Sequence, residues 1–317
     1  MAGAVRVAAI QMRAKVGDVA SNLSHAESLA RQAFRGGAEW VILPEFFTCP
    51  AAFSPSMLLA WLPLEGPALE LLRKLAREHD GVGGGSFLAK SGNDCFNSFL
   101  LVFPDGRYYR HDKDLPTMWE SSYYIGGSDD GVLATPAGPV GAALCWELIR
   151  SQTARRLLGR VDLVVGGSCW WDVRLPVAPQ DVDDQARLRN LLRQAPGELA
   201  RRLGVPVVHA AQAGEFAGLV PGDESKSYDS RYLGEAQIVD GHGKALARLA
   251  YEDGEGIVTA DVAPGRVEGE LAPIPNGFWT VELPPKTLHR WDLFNDLGRD
   301  YYATKFRPLL NPESHPA

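Results

Sequence analysis

Pro139-Val140-Gly141-Ala142-Ala143-Leu144-Cys145-Trp146-Glu147-Leu148-Ile149-Arg150 is the stretch that decides the fold. Its first half is a near-continuous apolar run, the pattern of a strand buried on both faces. Its second half, from Trp146, is helix-like. Cys145 stands at the junction. At the start of a helix, backbone N–H groups and the positive end of the dipole face a side chain, and both lower a thiol pKa from its free value of ~8.5. In α/β folds such strand ends are where reactive groups collect.

Outward from that junction, strand-like and helix-like segments alternate, which predicts an α/β fold. Residues 5–11, 40–43, 82–89, 98–103, 140–144, 161–165, 205–210 and 257–262 read as strands. Residues 22–35, 68–79, 148–158 and 182–203 read as helices, with Ser21 capping the first and Pro196-Gly197 breaking the last. Residues 233–239 and 245–249 form a hairpin about Gly241-His242-Gly243. No linker divides the chain, so residues 1–269 are expected to be one domain. Residues 270–317 read as an extended tail that packs on the domain or on a partner subunit. Met1 to Met12 is apolar but short and is interrupted by Arg6, so it reads as a strand rather than a signal peptide.

Of 317 residues, 45% are hydrophobic, enough for a large core. The net charge of −7 argues against nucleic acid as a partner, and no basic run points to a membrane surface. No apolar stretch approaches the ~20 residues of a membrane span. Cys49, Cys95, Cys145 and Cys169 are far apart and form no CxxC pair, so free thiols in a reducing, cytoplasmic compartment are expected. The seven histidines show no ligand spacing, and no metal is expected.

Two further segments carry chemistry. Val41-Ile42-Leu43-Pro44-Glu45 is a buried strand that ends in a carboxylate. His111-Asp112-Lys113-Asp114-Leu115-Pro116-Thr117-Met118-Trp119-Glu120 follows another strand and offers an ammonium. A carboxylate can take a thiol proton as general base. An ammonium, with the N–H of Trp146, can face the negative charge that develops on an attacked substrate. Sequence does not show that these groups meet. Two other readings therefore stay open: a Cys–His hydrolase with His111 or His209 as base, and a non-catalytic scaffold.

The same motifs carry a resemblance. Lys113-Asp114-Leu115-Pro116-Thr117-Met118-Trp119-Glu120 and Cys145-Trp146-Glu147 resemble the lysine and cysteine segments of the nitrilase (carbon–nitrogen hydrolase) superfamily, closest to nitrilases proper. The likeness extends from Val7-Ala8-Ala9-Ile10-Gln11-Met12 to Gly254-Glu255-Gly256-Ile257-Val258-Thr259-Ala260-Asp261. It implies a Glu45–Lys113–Cys145 triad with Glu120 as a second glutamate beside it. It also implies a four-layer αββα sandwich, pairing as αββα–αββα in a dimer or higher homo-oligomer. The implied reaction is cofactor-free hydrolysis of a nitrile to an acid and ammonia through a thioimidate and thioester on Cys145. The alternative on the same scaffold is an amidase or N-carbamoyl (ureido acid) hydrolase. Met118 departs from the pattern, since nitrilases usually have a histidine soon after the Pro-Thr. The double tryptophan in Ser168-Cys169-Trp170-Trp171-Asp172 is also unusual. With Trp146, Tyr123 and Tyr124, residues Cys169, Trp170 and Trp171 are expected to line a pocket for a flat apolar group.

Overall fold

Side-chain alternation along the strand Val5–Met12 sets the layering in the computed structural model, which describes residues 3–311. Met1 and Ala2 of the first apolar segment, and residues 312–317 of the tail, lie outside the described residues. Val7 and Ala9 point to one side of the strand, and Ala8, Ile10 and Met12 to the other. The second set packs on the helices Val19–Arg35 and Pro67–His79 through Ala26, Leu29, Leu69 and Leu72. The first set meets the facing half of the sheet, at Val140, Ala142, Val165 and Val208. There Leu163 and Val165 point inward, while Val164 packs with Leu157, Leu192, Leu199 and Leu203 of the helices Ser151–Leu157 and Val182–Leu203. The layers are therefore helix, sheet, sheet, helix, the αββα order that the resemblance implied.

One half of the sheet runs Tyr108–Asp112, Asp94–Val102, Val82–Ser91, Trp40–Ile42, Val5–Met12, with Gly256–Val262 antiparallel to the last. The other half runs Val207–Phe216, Leu163–Ser168, Gly138–Ala142, Val132–Thr135. The halves join where Gln11 and Met12 pair with Ala211 and Gln212. The strands Trp40–Ile42, Gly138–Ala142 and Leu163–Ser168 pair with parallel neighbours, so the segments that leave them emerge on one end of the molecule.

The structure corrects four local expectations. Asp18, not Ser21, caps the first helix: its carboxylate accepts the Ser21 N–H. Pro196 does not break Val182–Leu203, because burial of Leu192, Ala195 and Leu199 holds the helix together across the lost hydrogen bond. No single helix follows Cys145. Cys145–Ile149 is one 3-10 turn, Arg150 is extended, and the helix proper starts at Ser151. The Arg150 side chain is drawn instead onto the Asp114 carboxylate and the Leu115 carbonyl. The tail is not extended either. Pro285–Tyr301 is a helix whose Trp291, Phe294, Asn295 and Gly298 lie on one stripe, and Phe306 and Leu310 beyond it are fully buried.

Candidate active site

Among the described residues, five non-glycine residues have positive φ, and three of them mark the chemistry-bearing turns. Cys145 itself has φ 52°, Phe46 after Glu45 has φ 55°, and Met118 before Glu120 has φ 55°. Backbone strain of this kind persists only where its surroundings hold it. The tightest of these surroundings is at Gly167. A Cβ there would lie 2.9 Å from the Glu45 amide nitrogen and 3.0 Å from the Pro44 Cα, so only glycine lets the strand Leu163–Ser168 approach the Glu45 turn.

These turns bring four predicted side chains together. One carboxylate oxygen each of Glu45 and Glu120 and the sulfur of Cys145 lie within 4.8 Å of one another. The Lys113 Nζ donates to Glu45 Oε1 at 2.9 Å and to Glu120 Oε2 at 2.7 Å, which places its ammonium between the two carboxylates. All four residues are fully buried. Glu45 also accepts from Asn97 Nδ2 at 2.8 Å and from the Cys169 N–H at 2.7 Å. Glu120 accepts from the Thr117 N–H at 3.0 Å and from the Tyr124 hydroxyl. Gln212 Nε2 reaches the Glu45 and Phe46 carbonyls, which fixes the turn behind the carboxylate.

Burial dominates the protonation of this cluster. It raises the Cys145 thiol well above its usual pKa; the Glu45 carboxylate adds to the rise and Lys113 opposes it. The expected lowering by a helix dipole is thus overturned, since a five-residue turn replaces the helix and no water reaches the sulfur. Burial also raises Glu45, against the pull of Lys113. For Lys113 burial favours the neutral amine, but Glu120 and Glu45 outweigh it and keep the ammonium charged. At rest the site holds a neutral thiol beside a carboxyl group of raised basicity. A proton can pass between them without either charge meeting solvent.

A second buried set clamps the turns. Glu147 accepts the Leu144 N–H at 2.8 Å and the Asp114 N–H at 3.0 Å, so one carboxylate ties the residue before Cys145 to the residue after Lys113. His111 Nε2 lies 3.0 Å from the same carboxylate, and its Nδ1 lies 2.5 Å from Asp129. His209 pairs with the Ser168 hydroxyl at 3.0 Å, and burial pulls its pKa down to about 3. Among the described residues both histidines bond to groups other than the thiol.

The tryptophans form the wall beside the cluster. Trp146 stacks in parallel on Trp291 of the tail helix at 5.4 Å, and Trp171 stacks on Trp119 at 4.0 Å. Trp119, Trp146, Trp170 and Trp171 line a cavity of about 30 Å³, as do Thr287, Arg290 and Phe294 of the tail helix. Cys169 is fully buried and donates its N–H to Glu45. Tyr123 is not brought to this wall: its hydroxyl bonds the Ser54 backbone, and its ring packs on Tyr301 and Phe306. Asn97 is a site residue that the motifs did not single out, and Tyr124, expected in the pocket wall, gives its hydroxyl to Glu120. A polar Asn97-Ser98 pair inside the otherwise apolar strand Asp94–Val102 was the available signal for the first.

A thiol ringed by two carboxylates and an ammonium, at the strand ends of an αββα fold, defines the class: a hydrolase of carbon–nitrogen bonds. Residues 6–269 match the family described as carbon-nitrogen hydrolase, and the chain belongs to that family. It is 26% identical over 276 residues to the aliphatic nitrilase of Rhodococcus rhodochrous, covering 81% of this chain and 74% of that protein. It is also 26% identical over 311 residues to the N-carbamoylputrescine amidase of Oryza sativa subsp. japonica, covering 94% and 93%. The match to a citrullinase of Francisella tularensis is 30% over 161 residues, 48% of this chain and 56% of that one. Among solved structures, a CN-hydrolase superfamily protein of Xanthomonas campestris superposes with a TM-score of 0.63 at 19% identity, over 83% of this chain and 91% of that one. A mutant of the amidase from a Nesterenkonia species, with acrylamide added at its active site cysteine, superposes at 0.60 and 19%, over 82% and 93%. These two likenesses bear on the fold.

Proposed function

We propose that the chain hydrolyses a nitrile to a carboxylic acid and ammonia, with Cys145 as nucleophile, Glu45 as general base and Lys113 as the cation that faces developing charge. The observation that carries this reading is the enclosure of one thiol by Glu45, Glu120 and Lys113 inside a fully buried site. The Cys145 sulfur bonds to the nitrile carbon as its proton passes through Glu45 to nitrogen, giving a thioimidate. Water adds to that carbon, ammonia leaves, and a thioester remains. A second water, deprotonated by Glu45 and positioned by Glu120, releases the acid and restores the thiol. Two waters are consumed for each ammonia formed. Lys113 and the N–H of Trp146, in a first turn whose N–H groups have no acceptor within the turn, stabilise the anionic nitrogen or oxygen.

A second reading, hydrolysis of an amide or N-carbamoyl compound, uses the same atoms and begins at the tetrahedral stage. The 94% coverage of this chain by the rice N-carbamoylputrescine amidase favours it. Ammonia release from matched nitrile and amide pairs separates the two, with the adduct on Cys145 weighed by mass spectrometry. Cys145→Ala is expected to lower turnover at least about 10⁴-fold while the protein melts within a few degrees of the wild type. Wild-type turnover in that variant would overturn the assignment.

A further inference from the structure

Arg290 is a cation in the aromatic wall that has no counter-charge among the described residues. It lies on the tail helix Pro285–Tyr301 and lines the cavity formed by Met118, Trp119, Trp146, Trp170 and Trp171. It makes no ion pair and no hydrogen bond among the described residues, although the nearby Tyr228 hydroxyl feels its charge. The acidic groups close to it are already occupied. Asp172 is held by Arg189 and Arg231 at 3.0 and 3.3 Å, and Asp181 by Lys286 at 3.0 Å. Arg174, exposed, is a second cation near Tyr228 with no ion pair among the described residues. In a chain of net charge −7, this corner is locally positive, and its walls are aromatic.

Two of the cavity's lining residues neighbour the reactive cluster along the chain: Trp146 follows Cys145 and Trp119 precedes Glu120. Its volume of about 30 Å³ is room for a water or two, since one water needs about 10–15 Å³ of such space. An acyl group of any size makes its room by pushing the tail helix outward, and that helix carries Arg290. A substrate anion there would pair with the guanidinium and draw the same helix back over the site.

We propose that this cavity is the acyl-group subsite and that Arg290 selects substrates whose acyl group carries a carboxylate. The proposal rests on the hydrolase reading above and adds the substrate class. Arg290 lies outside residues 6–269, so this selectivity is supplied by the tail rather than by the family domain.

The test compares isosteric pairs that differ in one charge: 4-cyanobutanoate against pentanenitrile, 4-cyanobenzoate against 4-tolunitrile, and the corresponding primary amides. Ammonia release gives kcat and KM for the full chain and for Arg290→Gln and Arg290→Met. The second variant keeps the apolar stem if the first fails to fold, and melting curves check both. Wild type is expected to prefer the anionic member of each pair it turns over. The variants are expected to lower the anionic-to-neutral ratio of kcat/KM by about tenfold to a hundredfold, with the loss on KM, as a charged hydrogen bond implies. An unchanged ratio, with neutral members still turned over, would overturn this inference alone. Release of ammonia from no member would overturn the hydrolase reading, and this one with it.

Discussion

Cys145 is held as a neutral thiol at rest, because no water reaches it and the adjacent Glu45 carboxylate resists a second negative charge. On the proposed mechanism its reactivity depends on Glu45 accepting the proton as the carbon–sulfur bond forms, rather than on a standing thiolate. Glu45→Gln keeps the side-chain shape but removes that acceptor. It is expected to cut kcat by roughly 10²–10⁴, read as slower ammonia release and slower adduct formation on Cys145. Glu120 still faces Lys113 in this variant, so the ammonium keeps a counter-charge and the fold is expected to survive. Equal rates in wild type and Glu45→Gln would mean another group takes the proton. At this scale the sequence was readable where a polar residue ends an apolar strand, as at Glu45 and Cys145, or sits in a resembling motif, as Lys113 and Glu120 do. Asn97 was legible only as a polar residue in a mostly apolar strand; its partner, 52 positions away along the chain, was not. The missing activation of the thiol was opaque as well, since it follows from burial that only the folded chain creates.

Two turns must hold register for the ammonium to face the sulfur, and Glu147 is the brace between them. It binds the backbone beside Cys145 and beside Lys113, and His111 provides its positive charge. Burial alone would lower the His111 pKa, but Glu147 and Asp129 overcome it and raise the value from 6.5 to about 10. The sign follows from linkage. A group that holds its proton more tightly when folded stabilises the fold fully below its unfolded pKa, and that contribution is lost as pH rises towards the folded pKa. The loss thus runs from about pH 6.5 to about 10, at up to about 1.4 kcal/mol per pH unit. Between about pH 6.5 and 7.5, below the range where free thiols and phenols titrate, the wild-type melting temperature is expected to fall. His111→Gln, less stable at pH 6, is expected to show a flatter profile over the same window. Parallel pH profiles of the two proteins would show that His111 is not charged in the fold. The bracing role of Glu147 was partly legible, since it follows the proposed nucleophile in Cys145-Trp146-Glu147. The break in the helix at Arg150 was not, because local spacing says nothing of Asp114, 36 positions earlier.

The four layers follow from alternation that can be read strand by strand, yet the closure of the site comes from outside that pattern. Residues 270–311 show few apolar runs. The tail helix docks through a narrow stripe that includes Asn295 and Gly298, residues that a hydrophobicity pattern passes over. Gly298 is where the backbones meet: a Cβ there would lie 2.0 Å from Ser121 Oγ and 2.9 Å from the Ser122 amide nitrogen. The Ser121 hydroxyl can rotate away, but the backbone of the Met118–Ser122 turn, which carries Glu120, cannot yield so easily. Gly298→Ala therefore is expected to push the helix outward and cost about 1–3 kcal/mol, the usual range for overpacking. The same displacement parts Trp291 from Trp146 and opens a path to the sulfur. Iodoacetamide is then expected to alkylate Cys145 faster in the variant than in the wild type, while Cys95, fully buried against Tyr302 further along the tail, serves as the internal reference for general loosening. Faster labelling of Cys145 alone would identify the tail helix as the gate of the site. Equal acceleration at both thiols would mean that Gly298→Ala loosens the whole molecule and that access to Cys145 runs elsewhere.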